Sequence, residues 1–194
     1  MDNAQEIILP EGVGGVATSR SWQDEAALLH ISSNEFWEGK RILSLGSGKK
    51  SDDPDKVFEG GIVTAYDPLF FTGLEATYSS FPNIVKKNLA IKPSENTAHR
   101  LVKGVGQQLP FADGSFDLVT SCFAVPMNVP EEEKITALGE AVRVCKPGGE
   151  VRLYPVNVET NKGVAAFLEM GEGFSVRFEG ALDQRLVIIT KDKK

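Results

Sequence analysis

The chain has 194 residues and a mass of 21.0 kDa, and its 21 Lys and Arg against 27 Asp and Glu give a net charge of −6 and a pI near 5.1. With 41% apolar and 25% charged residues it has the composition of an ordinary globular domain, which excludes a disordered tail and a membrane span. The acidic balance argues against nucleic acid as a partner, because a phosphate backbone is bound mainly through Lys and Arg.

The opening MDNAQEIILPEGVGG has neither a basic n-region nor an apolar h-region, so no secretory leader is expected and the chain is read as cytoplasmic. Residues 1–20 are broken by Gly and Pro and read as an arm ahead of a single domain over 21–194. Gly12 to Gly15 would give that arm a hinge, and Ile7, Ile8 and Leu9 an apolar tip able to close over a site as a lid. The alternative is a loose terminus. Ser21 is placed to cap a helix carrying Trp22, Ala26 and Leu29, with Asp24 in its first turn. A second short helix is expected from Ser33 to Trp37. The run RILSLGSG (41–48) is a strand ending in Gly-Ser-Gly, and IVTAYDP (62–68) is the next strand. Between them, Asp52 and Asp53 precede Pro54 and announce a short carboxylate-capped helical turn. HRLVKGV (99–105) and SFDLVTSCFAV (115–125) continue the series. A helix over 131–146 follows, with Ile135, Leu138, Ala141, Val142 and Cys145 on its apolar face, and stops at Lys146-Pro147-Gly148-Gly149. EVRLYPV (150–156) is the fifth strand of the alternation. GFSVRFEG (173–180) and RLVIIT (185–190) are too close for a crossover and must be antiparallel. The first alternates apolar and polar residues and the second is continuously apolar, so the last strand should lie inside the sheet and its predecessor at the edge. Cys122 and Cys145 fall in apolar patterns and read as buried hydrophobes, not as a disulfide or metal pair.

The alternation predicts an α/β fold: a doubly wound, seven-stranded, mostly parallel sheet with a C-terminal antiparallel hairpin. Gly-Ser-Gly after the first strand, QLPFADGSFDLV (108–119) and EAVRVCKPGGEV (140–151), in that order, resemble the class I (Rossmann-like) S-adenosylmethionine-dependent methyltransferases over about residues 22–190. In a doubly wound sheet a ligand sits beyond the carboxyl ends of the strands where the strand order reverses, which puts Gly46, Ser47 and Gly48 at that point. Asp67 closes the second strand about 20 residues further on, the spacing at which a carboxylate accepts ribose hydroxyls. The other role open to it is a helix cap. The resemblance adds Pro68, Leu69, Gly106, Gln107 and Cys122 as cofactor contacts, with Phe70 as a further apolar one. Ser51, where a dinucleotide fingerprint wants glycine, and the carboxylates at 52 and 53 disfavour a pyrophosphate, so NAD and FAD are set aside.

The chain also departs from the family. Ser44 stands where the first strand often carries an acidic residue, Lys49 and Lys50 follow the turn in place of small apolar residues, and Val105 replaces an acid offered to adenine. Methyl transfer from a sulfonium needs positioning rather than a protein nucleophile, so the lack of a catalytic triad or metal motif is consistent with an enzyme. Tyr154, Glu159 and His30 are the candidates for a general base, with no catalytic residue singled out. The expectation is a small-molecule acceptor held by the arm and by loops 126–130 and 156–163, no membrane partner, and a monomer or homodimer. A non-catalytic adenosyl-binding or interaction module on the same fold is the alternative.

Overall fold

A computed structural model describes residues 20–32, 37–48, 50, 52–67 and 101–193. Residues 1–19 of the expected arm, Ser33 of the expected second helix, Lys49, Ser51, Pro68, Leu69 and Phe70 lie outside the described residues.

The elements are α1 (Trp22–Leu28), β1 (Arg41–Leu45), a single 3-10 turn (Pro54–Lys56), β2 (Ile62–Tyr66), β3 (Leu101–Val102) and β4 (Phe116–Cys122). They continue with α2 (Val125–Asn128), α3 (Glu131–Val144), β5 (Cys145–Val156), α4 (Lys162–Met170), β6 (Phe174–Glu179) and β7 (Arg185–Lys191). The strands form one seven-stranded sheet in the order β3-β2-β1-β4-β5-β7-β6. The pairings β3-β2-β1-β4-β5 are parallel, while β7 runs antiparallel to both β5 and β6. The final strand therefore inserts between β5 and β6, as its unbroken apolar run requires, and Leu186, Val187, Ile188 and Ile189 are all buried.

Both faces of the sheet are covered, so its central strands are apolar at successive positions. Leu43, Val119 and Leu153 face a core closed by α3 and α4, while Ile42, Leu118 and Ile188 face a second core closed by α1 and the Trp37–Phe58 aromatic pair. Local signals act as expected at α1, where Ser21 Oγ accepts from the Asp24 N–H and the Asp24 carboxylate accepts from the Ser21 N–H at 3.1 Å, a reciprocal cap. Asp53 caps the 3-10 turn with Pro54 in its first position.

Three local expectations need correction. The helix expected over 131–146 ends at Val144, because Cys145 is already extended (φ −72, ψ 139) and opens β5 through the Lys-Pro-Gly-Gly stretch. Its buried face is Ala137, Leu138, Ala141 and Val144, whereas Ile135 is 38% exposed. The helix α4 was not foreseen: it follows β5 directly and its first residues pack on α3, Gly163 N–H donating to Glu131 Oε2 at 2.7 Å.

Candidate functional site

The strand order turns back between β1 and β4, and the residues after their carboxyl ends make the candidate site. Gly46 leaves β1 with φ +63, its N–H donating to the Tyr66 carbonyl at 2.7 Å. A Cβ on Gly46 would stand 2.1 Å from Ala124 Cβ, so the turn and the residue after β4 are in contact that only glycine permits. Gly48 is also left-handed (φ +61), and its N–H donates to Asp67 Oδ2 at 3.0 Å. Ser47 and Asp67 are both buried, and the Ser47 hydroxyl donates to the Gly48 carbonyl at 3.1 Å. Four of the expected cofactor contacts, Gly46, Ser47, Gly48 and Asp67, thus come together at one point.

The others are distributed around it. Tyr66, the last residue of β2, donates from its hydroxyl to the carbonyls of Val105 and Gln108, each at 3.2 Å, and so wraps the loop after β3 around the end of β2. That loop carries Gly106 and Gln107, and the Gln107 amide is turned to Glu133 on α3. Cys122 ends β4 against the α1 core, and burial, with the Glu25 charge nearby, pushes its thiol up to about 12. A thiol held protonated in this way is not a nucleophile near neutral pH. Phe123, just past β4, is a non-glycine residue with φ +63, a strained conformation at the mouth of the site. The Arg20 guanidinium lies 3.6 Å from the Phe123 ring centroid, and Tyr154 meets the same ring edge-on at 5.7 Å.

Of the base candidates, Tyr154 borders this mouth and donates its hydroxyl to Gln184 Oε1 at 3.1 Å. Glu159 sits in the exposed turn after β5, its N–H held by Asn157 Oδ1 at 2.9 Å. His30 is engaged by Glu179 on the outermost strand (Nδ1–Oε2 2.6 Å), away from the glycine turn. The segment Pro126 to Asn128 is not an open loop but the turn α2, whose Pro126 carbonyl accepts from Lys134 Nζ at 2.7 Å and Asn161 Nδ2 at 2.9 Å.

The two most specific sequence stretches prove to be one clamp. Arg143 donates to Glu140, to Asp113 Oδ1 at 2.7 Å, and to the carbonyls of Phe111 (2.8 Å) and Leu109 (3.0 Å). Glu140 Oε2 accepts the Leu109 N–H at 2.8 Å, and the Arg143 side chain holds the Glu140 carboxyl below its ordinary range. LPF-x-D and E-x-x-R therefore fasten the loop before β4 to α3, which sets the height at which β4 delivers Cys122 and Phe123.

Sequence reasoning missed one feature. Glu25 of α1 is 6% exposed and lies across the seam of β1 and β4, where Ser44 and Thr120 are register partners. Its Oε1 accepts from Ser44 Oγ at 3.0 Å and from Thr120 Oγ1 at 3.4 Å. Lys50, which stands where the family has a small apolar residue, is 4% exposed and pairs with Glu25 Oε2 at 2.9 Å while donating to the Ser47 carbonyl. The carboxylate that β1 lacks at Ser44 is thus brought to Ser44 by α1. Two surface clefts of about 310 and 340 Å³ lie at the opposite, amino edge of the sheet, beside Arg143 and Lys191 and beside Lys40 and Asp117.

Comparison with known proteins bears on the fold. Residues 74–153 match the family described as "Methyltransferase domain". A demethylmenaquinone methyltransferase of Beutenbergia cavernae is 33% identical over 150 residues, covering 77% of this chain and 53% of that protein. A ubiquinone/menaquinone biosynthesis C-methyltransferase of Bartonella bacilliformis is 52% identical over 48 residues, 25% of this chain and 17% of its own. The chain thus spans about half, or less, of these relatives' length. Among solved structures, an S-adenosylmethionine-dependent methyltransferase of Aquifex aeolicus superposes with a TM-score of 0.50 at 19% identity, over 86% of this chain and 93% of that one. A Pyrococcus horikoshii protein superposes with a TM-score of 0.58 at 14% identity, over 92% and 94%. The chain has the fold of the class I S-adenosylmethionine-dependent methyltransferases, and its segment 74–153 is similar to their methyltransferase domain.

Proposed function

We propose that the chain binds S-adenosylmethionine beyond the ends of β1, β2 and β4 and transfers its methyl group to a small-molecule acceptor. The observation that carries this reading is the bond from the Gly48 N–H to Asp67, which assembles a left-handed glycine turn and a buried carboxylate at the switch point of the sheet. The residues present fit this group better than a dinucleotide. Lys50 is spent on Glu25, so it is not offered to a pyrophosphate, and the nearest helical turn already carries the Asp53 carboxylate at its start.

Bound there, the cofactor would supply an electrophilic sulfonium methyl group for transfer to an acceptor held in line with it. The chain's own part is positioning. Gly46 and Gly48 let backbone approach the ligand, Asp67 accepts ribose hydroxyls, Gly106 and Gln107 line the adenine side, and Cys122 closes the floor. Phe123 and Tyr154, set edge to face, and the Arg20 guanidinium over the Phe123 ring border the acceptor side. The relatives named for quinone methylation make a hydroxylated ring the first acceptor class to assay.

Calorimetric titration with S-adenosylmethionine and S-adenosylhomocysteine tests the reading, followed by product analysis over hydroxylated quinones and phenols. Absence of heat at millimolar ligand with the protein folded refutes it. Binding with no turnover on any acceptor favours a non-catalytic adenosyl-binding module.

A further inference from the structure

The segment after β1 is tied to α1 by three separate contacts. Lys50 pairs with Glu25 at 2.9 Å, its ammonium lies 4.5 Å from the Trp22 ring centroid, and the Trp22 backbone N–H donates to Asp52 Oδ2 at 2.8 Å. The pair is almost completely closed to water, with side-chain exposures of 2% for Lys50 and 7% for Glu25. Burying two charges is costly, and a buried pair is often no more stabilising than apolar residues of the same volume. Its geometry here does something apolar residues could not do. Lys50 donates to the carbonyl of Ser47, the middle residue of the glycine turn, while Glu25 accepts from the Ser44 and Thr120 hydroxyls on the two strands that flank the switch point. One continuous polar chain therefore runs from strand seam to α1 to glycine turn.

We propose that Glu25 and Lys50 are positioning residues: they fix the orientation of the Ser47 peptide, and hence the Gly48 N–H that meets Asp67, and so couple the docking of α1 to occupancy of the adenosyl site. The part concerning occupancy rests on the cofactor reading above. The coupling is reciprocal, because a ligand that favours the ordered turn must equally favour docked α1.

The test uses the full chain as wild type, Glu25→Gln, Lys50→Met and the double variant, each followed by thermal unfolding, S-adenosylhomocysteine calorimetry and amide exchange. Each single variant leaves one buried charge without its counter-charge and loses stability, whereas the double variant removes both charges and regains it. If the pair positions the turn, the double variant still binds about ten-fold or more weakly, a loss of one hydrogen bond to a charged group at the site. In the same variants the Gly48 amide exchanges faster without ligand, and ligand no longer protects α1. Recovery of affinity together with stability in the double variant would show that the pair is only structural and overturn the proposal. If wild type takes no S-adenosylhomocysteine, the cofactor reading falls. The positioning claim is then decided by the ligand-free exchange of Gly48: faster exchange in the variants supports it, and unchanged exchange rejects it.

Discussion

Replacing Gly46 by Ala separates two costs that the structure makes visible. The backbone there is left-handed (φ +63), which costs an L-residue about 1–2 kcal/mol. The added methyl would also stand 2.1 Å from Ala124 Cβ, where it cannot remain, and making room in a packed site costs about 1–3 kcal/mol. Together these give about 2–5 kcal/mol, or a drop in melting temperature of about 4–20 °C for a chain of this size. Gly39 supplies the control, since it too is left-handed (φ +70) but has nothing within 4 Å of the position a Cβ would take. Gly39→Ala should therefore lose only the first part, about 1–2 kcal/mol. Adding Ala124→Gly to Gly46→Ala should return much of the second part, a coupling that neither single change contains. Thermal unfolding of the four variants followed by circular dichroism gives these differences directly. A Gly46→Ala variant no less stable than Gly39→Ala, or one that Ala124→Gly fails to rescue, would refute the claim that the turn and the end of β4 are held in contact.

Three further outcomes are expected. Asp67→Ala should weaken S-adenosylhomocysteine binding by about ten- to several-hundred-fold, from the loss of charge-assisted bonds of about 1.5–3 kcal/mol each. Asp67→Asn keeps an acceptor for the Gly48 N–H and should melt closer to wild type while still binding weakly, so equal affinity in both variants and wild type would remove Asp67 from the site. Glu140 is held below the ordinary carboxyl range by the Arg143 side chain, so its share of stability is present at neutral pH and is lost as pH falls through the depressed folded value. The melting temperatures of wild type and Glu140→Gln should accordingly differ above about pH 5 and converge in acid, and a difference independent of pH would contradict the clamp. Cys122 and Cys145 are both pushed up to about 12 by burial, so neither should alkylate at pH 8 until denaturant is added, and fast labelling of Cys122 in the native chain would show that the floor of the site opens.

The fold was legible in the sequence where periodicity and punctuation act over short distances. The unbroken apolar run of β7 against the alternating run of β6 placed the final strand inside the sheet, because a strand covered on both faces cannot carry polar residues at every second position. Ser21 and Asp24 marked the start of α1 for an equally local reason. Local signals failed at the end of α3. Val142 and Cys145 continue a helical spacing, yet the Pro147-Gly148-Gly149 stretch already belongs to β5, whose pairing with β4 begins at Cys145 opposite Phe116. Ile135 was misread as core for a related reason: spacing by threes and fours names a face but not how far that face wraps around the helix.

The candidate site divides along the same line. Gly46, Ser47, Gly48 and Asp67 were found because their spacing within one β-turn-β unit is fixed by the chain itself. Glu25 and Lys50 were not, because nothing in a window around either residue distinguishes a buried charge from a solvated one. Lys50 reads as a surface cation beside Lys49, and Glu25 as one more acid in the first turn of a helix. Their meaning appears only when α1 crosses the seam of β1 and β4, where Ser44 and Thr120 stand side by side with two hydroxyls and no carboxylate of their own. Seen alone, Ser44 and Lys50 are two departures from the family pattern that argue for a decayed site. Joined through Glu25 they satisfy one another, since the carboxylate meets the hydroxyl and the ammonium meets the carboxylate and the turn.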